Sequence, residues 1–206
     1  MFSPRTSAAL IGMLAVSLTL AGCSGTDSGS MGGMSGMDDS SSSSSPSPSA
    51  SSSSTAVFND QDVMFLQGMI PHHTQAVEMS EMILGKTDVD PRVTELAQTI
   101  KDAQEPEIDL MSGWLEEWGK SSSMSINHEM DGMMSDEDMA SLKSATGVDA
   151  SRLFLEQMTV HHSSAIQMAQ MEMESGENPD SIDLAQTIVD SQQAEIEQMQ
   201  EILSTL

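Results

Sequence analysis

Phe65-Leu66-Gln67-Gly68-Met69-Ile70-Pro71-His72-His73 returns later in the chain as Phe154-Leu155-Glu156-Gln157-Met158-Thr159-Val160-His161-His162, at an offset of 89 residues. The match continues through Ala76/Ala165, Met79/Met168 and Met82/Met171. Further on, Leu96-Ala97-Gln98-Thr99-Ile100 pairs with Leu184-Ala185-Gln186-Thr187-Ile188 at an offset of 88, and Gln104/Gln192, Glu107/Glu195, Ile108/Ile196 and Met111/Met199 keep that spacing. Asp90-Pro91 and Asn178-Pro179 correspond as well, each a capping side chain followed by proline at a first helical position.

Within each copy the apolar spacing is helical. Phe65, Met69, His72, Ala76, Met79 and Ile83 step by four, three, four, three and four residues, the inward stripe of a bundle helix. The pattern predicts helices over roughly 58–84, 91–118, 150–175 and 179–204, with Gly85 and Gly176 as stops. Each repeat, about 57–119 and 149–206, is then a helical hairpin. A lone amphipathic hairpin cannot bury its stripe, so two should pack as an all-α four-helix bundle with pseudo-twofold symmetry. The joining segment, 120–148, is a Met/His-rich loop in which Ser135 and Asp138 predict a capped short helix.

The stripe places His72 and His161 inward, with His73 and His162 about 100° round the same helices. Met69, Met79, Met158 and Met168 flank these pairs. Thioether sulfur and imidazole nitrogen together suit Cu(I), with Ag(I) as a mimic. A methionine has no proton to lose and forms no disulfide, so it keeps its donor atom in an oxidising space. The competing reading is structural: methionines at helical spacing fill cores, and buried histidines are satisfied by hydrogen bonds. Met64, Met111 and Met199 read as core on that ground. The loop cluster of Met124, His128, Met130, Met133 and Met134 reads equally as ligands or as exposed residues. Counting along each hairpin sets His72 opposite Gln104 and His161 opposite Gln192, with Glu107 and Glu195 almost a turn further. Such groups would orient the imidazoles from behind. Pro71 should kink its helix, but Val160 replaces it in the second copy, so the kink carries no functional role.

Composition narrows the partners. Against 7 basic residues stand 32 acidic ones, a formal net charge of -25. That argues against nucleic acid and favours cations. The chain holds 20 methionines and a single cysteine, which excludes an intramolecular disulfide and a four-cysteine zinc site. Arg5 precedes an apolar stretch from Ala8 to Leu20, too short to span a bilayer comfortably, which ends in Leu20-Ala21-Gly22-Cys23. This resembles a lipobox. Residues 1–22 therefore read as a lipoprotein signal peptide, Cys23 as the lipidated residue, and the mature protein as tethered to the cell membrane on its extracytoplasmic side. An ordinary secretory signal with an incidental Cys23 is the alternative. Residues 23–56 are Ser, Gly and Pro with little else, a tether that cannot bury enough apolar surface to fold.

The paired motifs Met69-Ile70-Pro71-His72-His73 and Met158-Thr159-Val160-His161-His162 resemble those of the bacterial domain of unknown function 305 family, over about 57–206. That resemblance implies a ferritin-like helical bundle. Because some members of the family are periplasmic copper-binding proteins linked to copper resistance, it also implies copper handling at Met69, His72, His73, Met79 and their copies. The leading expectation is a non-enzymatic copper protein for buffering, resistance or delivery. Self-association and a copper-transfer partner are left open. Two alternatives stand beside it: a di-metal carboxylate oxidoreductase, though no Glu-x-x-His occurs in the predicted helices, and a structural or interaction domain whose histidines are merely buried.

Overall fold

The computed structural model describes residues 57–123 and 132–206. The signal peptide, the tether, Cys23 and the loop residues Met124, His128 and Met130 lie outside the described residues. Among those described, the chain forms five helices: α1 (Asp60–Leu84), α2 (Pro91–Glu117), α3 (Asp136–Ser144), α4 (Gly147–Ser175) and α5 (Pro179–Leu203). None is long and apolar enough to cross a membrane.

Local chemistry sets most of the ends. Asn59 and Asp62 form a reciprocal capping box on α1, and Ser135 and Asp138 form another on α3. Asp90 and Asn178 each accept a backbone N–H in the first turn of α2 and α5, ahead of Pro91 and Pro179. Helix α4 begins at Gly147, earlier than the expected position near 150, without a side-chain cap. Thr146 stands at its N-cap without a side-chain bond. Just before it, Lys86 Nζ donates to the carbonyls of Lys143 and Ala145 at the end of α3, at 2.8 Å each. Gly147 itself sits at φ +56, a region that favours glycine.

The sequential hairpins α1–α2 and α4–α5 pack most extensively within themselves, and α1 meets α4 where the hairpins join. The short α3 leans on both α1 and α4. Two apolar clusters make the core. One gathers Ala76, Met79 and Ile83 of α1 with Phe154, Leu155 and Met158 of α4. The other gathers Phe65, Leu66 and Met69 of α1 with Ala165 and Ala169 of α4. Early residues of one helix thus pack with late residues of the other. The two histidine pairs fall between the clusters in sequence on both helices, so a polar layer interrupts the core where α1 and α4 meet. Met111 and Met199 are fully buried, as a core role requires. Met64 is not: it is 53% exposed.

The hairpins are also laced at their ends by equivalent positions. Asp62 and Ser151 share one site in the repeat, 89 residues apart. Asp62 accepts the backbone N–H groups of Glu177 (3.1 Å) and Asn178 (2.9 Å) at the start of α5. Ser151 Oγ accepts the N–H of Asp90 at the start of α2 (3.1 Å). Each first helix therefore secures the start of the second helix in the opposite hairpin.

Candidate metal centre

All four motif histidines are buried, none more than 1% exposed. The rings of His72 and His161 meet across the α1–α4 contact with centroids 3.7 Å apart, and His161 and His162 lie 6.3 Å apart. Burial takes the imidazolium out of water, so the neutral ring is favoured. Burial, together with the charge His73 and His162 would carry, lowers His72 to about 3. Burial pushes His161 well below its ordinary range, and lowers His162 against the opposing pull of Glu195.

Their partners fix which nitrogen carries the proton. His73 Nε2 lies 2.7 Å from Glu107 Oε2, and His162 Nε2 lies 2.7 Å from Glu195 Oε2. A carboxylate only accepts, so each Nε2 donates, and in a neutral ring the Nδ1 opposite is then a bare lone pair. His72 Nε2 is 2.8 Å from Ser164 Oγ, whose own proton goes to the His161 carbonyl at 2.9 Å. His72 Nε2 therefore donates as well. The Nδ1 atoms of His72, His73 and His162, and both ring nitrogens of His161, have no hydrogen-bond partner among the described residues. Five buried nitrogens in one layer thus lack a partner among the described residues. A buried polar atom left unpaired costs about 1–3 kcal/mol.

The expected pairing of His72 with Gln104 and of His161 with Gln192 is not what the fold makes. Both glutamines are buried, but each leaves its Oε1 without a partner, and no hydrogen bond joins either to a histidine among the described residues. The inward histidines face the other hairpin, where each meets its repeat counterpart. Their neighbours His73 and His162 face the hairpin partner and take Glu107 and Glu195. Ser164 was not foreseen. Its signal was present: it stands three residues after His161, on the same helical face, at the repeat position of Gln75.

Met69, Met79 and Met158 are fully buried, and Met168 is half-buried against one core cluster. Met69 and Met158 lie a turn before the histidines on the same faces. Met133 and Met134 are half-buried, and Met134 packs against the core. Among the described residues, no three His, Cys, Asp or Glu side chains gather to hold one ion. A carboxylate-rich di-metal centre needs such a gathering. A donor set of bare imidazole nitrogens beside thioethers does not, and it fits a soft monovalent ion.

A family model described as "Domain of unknown function (DUF305)" matches residues 62–203. Among solved structures, a predicted secreted DUF305 protein from Streptomyces coelicolor is 33% identical, with a TM-score of 0.67, covering 70% of this chain and 93% of that one. CopM in its Cu(I)-bound form is 33% identical with a TM-score of 0.61, covering 70% of this chain and 96% of CopM. CopM structures with Cu(II) and with Ag align similarly, at TM-scores of 0.60 and 0.59. Protein L153 of Acanthamoeba polyphaga mimivirus is 44% identical over 63 residues, and the chain spans 40% of that curated relative's length.

Proposed function

The chain belongs to the DUF305 family, and from that premise and the histidine layer we propose that it binds copper as Cu(I), with Ag(I) as a mimic, through His72, His73, His161, His162 and the flanking Met69, Met79, Met158 and Met168. One observation carries the reading. Four buried imidazoles hold five nitrogens without a partner among the described residues, between two thioether-bearing core clusters. Glu107 and Glu195 hold two of those rings from behind, the carboxylate–histidine arrangement that orients metal-binding imidazoles. Rings already neutral need lose no proton when metal arrives. The CopM structures with Cu(I), Cu(II) and Ag support copper and silver as ions that this fold accommodates.

In this reading the helices form a ferritin-like four-helix bundle without catalytic function, for buffering, resistance or delivery. The Streptomyces relative, described as a predicted secreted protein, supports an extracytoplasmic setting, and a lipid on Cys23 is the proposed tether. Anaerobic titration against a colorimetric Cu(I) chelator tests the proposal. The protein should withdraw Cu(I) from the chelator, and a variant with all four histidines replaced by alanine should lose most of that capacity while keeping its helical circular dichroism. Equal capacity in the folded variant would overturn it.

A further inference from the structure

The two halves of the histidine layer are not equivalent. Position 75 in the first repeat corresponds to 164 in the second, each three residues after an inward histidine. Ser164 holds His72 through its Nε2–H. By the repeat, Gln75 should hold His161. Instead both ends of the Gln75 amide are engaged by the segment joining the hairpins: Oε1 accepts the Met134 N–H at 2.7 Å, and Nε2 donates to the Met134 carbonyl at 2.8 Å. The same segment presses on Ser164. Gly132, at φ +86, lies so close that a Cβ there would stand 2.1 Å from Ser164 Cβ. The connection between the repeats thus breaks their symmetry at one point. It seats the partner of His72 and removes the partner of His161. His161 has no side-chain partner at either ring nitrogen among the described residues, only a weak opposing pull from the His72 backbone, while the Nε2 atoms of His72, His73 and His162 each face an acceptor oxygen.

We infer that His161 is the labile ligand of the centre, through which a soft monovalent ion is exchanged, and that Gln75 imposes this role by clamping Met134. The inference rests on the copper reading for its ligand but has a consequence in the metal-free protein. A ring whose outer nitrogen is hydrogen-bonded binds metal about 10–100-fold more tightly than one whose outer nitrogen is not. His72, the held ring that meets it across the α1–α4 contact, retains the ion, and the unheld ring, free to present either nitrogen, passes it.

Two measurements separate the inference from the reading beneath it. Nitrogen-15 spectra of the imidazoles in the metal-free protein should show His72, His73 and His162 as single Nε2–H tautomers, and His161 as an average of two. A single fixed tautomer at His161 overturns the inference, whether or not the protein binds copper. Then Ag(I) is loaded and challenged with excess chelator. Gln75→Ser, which restores to the first repeat the residue that holds His72, should slow release by about 10–100-fold. Ser164→Ala, which frees His72, should speed it. Release unchanged in both folded variants also overturns the inference. Failure of wild-type protein to take up Ag(I) or Cu(I) at all sinks the copper reading instead.

Discussion

Successive residues on a helix point about 100° apart, and His72 and His73 use that angle to meet different helices. His72 turns to α4 and meets His161 and Ser164; His73 turns to α2 and meets Glu107. The second repeat copies the second contact through His162 and Glu195. Sequence made the buried histidines legible, because their spacing joined the apolar stripe. It did not show which neighbour each would face, because counting gives height along a helix and not azimuth. If the carboxylates orient the rings, Glu107→Gln and Glu195→Gln should each weaken Cu(I) binding by about 10–100-fold, read by chelator competition. A change smaller than twofold in both would mean that these contacts merely satisfy a buried N–H.

At the scale of the helix, capping chemistry was the most readable signal. Asn178, Asp90 and the Ser135–Asp138 box act where the sequence places them. The start of α4 was less readable, because Thr146 at its N-cap makes no side-chain bond. Asp62 illustrates the same limit. Its carboxylate completes the α1 box and also receives Glu177 and Asn178 from the other hairpin, while remaining fully buried. Asp62→Ala strands three backbone N–H groups, and should lower stability by about 3 kcal/mol in urea unfolding. Ser151→Ala, at the equivalent position, removes one such acceptor and should cost about 1 kcal/mol. Equal costs would show that the two laces do not differ as their bonding does.

Over the whole molecule, two kinds of buried titratable group oppose each other. His72 and His161 have lowered values in the fold. The unfolded chain takes protons at these two histidines below about 6.5 while the folded one does not, so stability falls as pH drops through that range toward 3. Glu172 behaves the other way. It is fully buried, accepts from Ser181 Oγ at 2.6 Å and lies against the Asp62 carboxylate. Burial first, and then Asp62, raise it from 4.5 to about 7. The folded state keeps that proton longer, so its contribution is full below 4.5 and is lost as pH rises to 7. Stability should therefore peak between roughly pH 5 and 6.5. Glu172→Gln keeps a neutral side chain at every pH and should remove the alkaline decline, a difference on the order of 3 kcal/mol at pH 8. Parallel pH profiles for the variant and the wild type would contradict this. Nothing in the repeat marks this pair, since Glu172 has Ile83 at its repeat position. The hairpin repeat itself was plain, because a duplicated apolar stripe has few ways to be buried.

The central claim is that the histidine layer is a binding site for a soft ion rather than a satisfied core. An anaerobic thermal melt tests it most directly, since a ligand that binds only the folded state must stabilise it. With Cu(I) at about a hundred times its dissociation constant, the midpoint should rise by roughly 5–10 °C, while Zn(II) and Mn(II) leave it nearly unchanged. A midpoint that Cu(I) does not move, or that all three ions raise alike, would contradict the account.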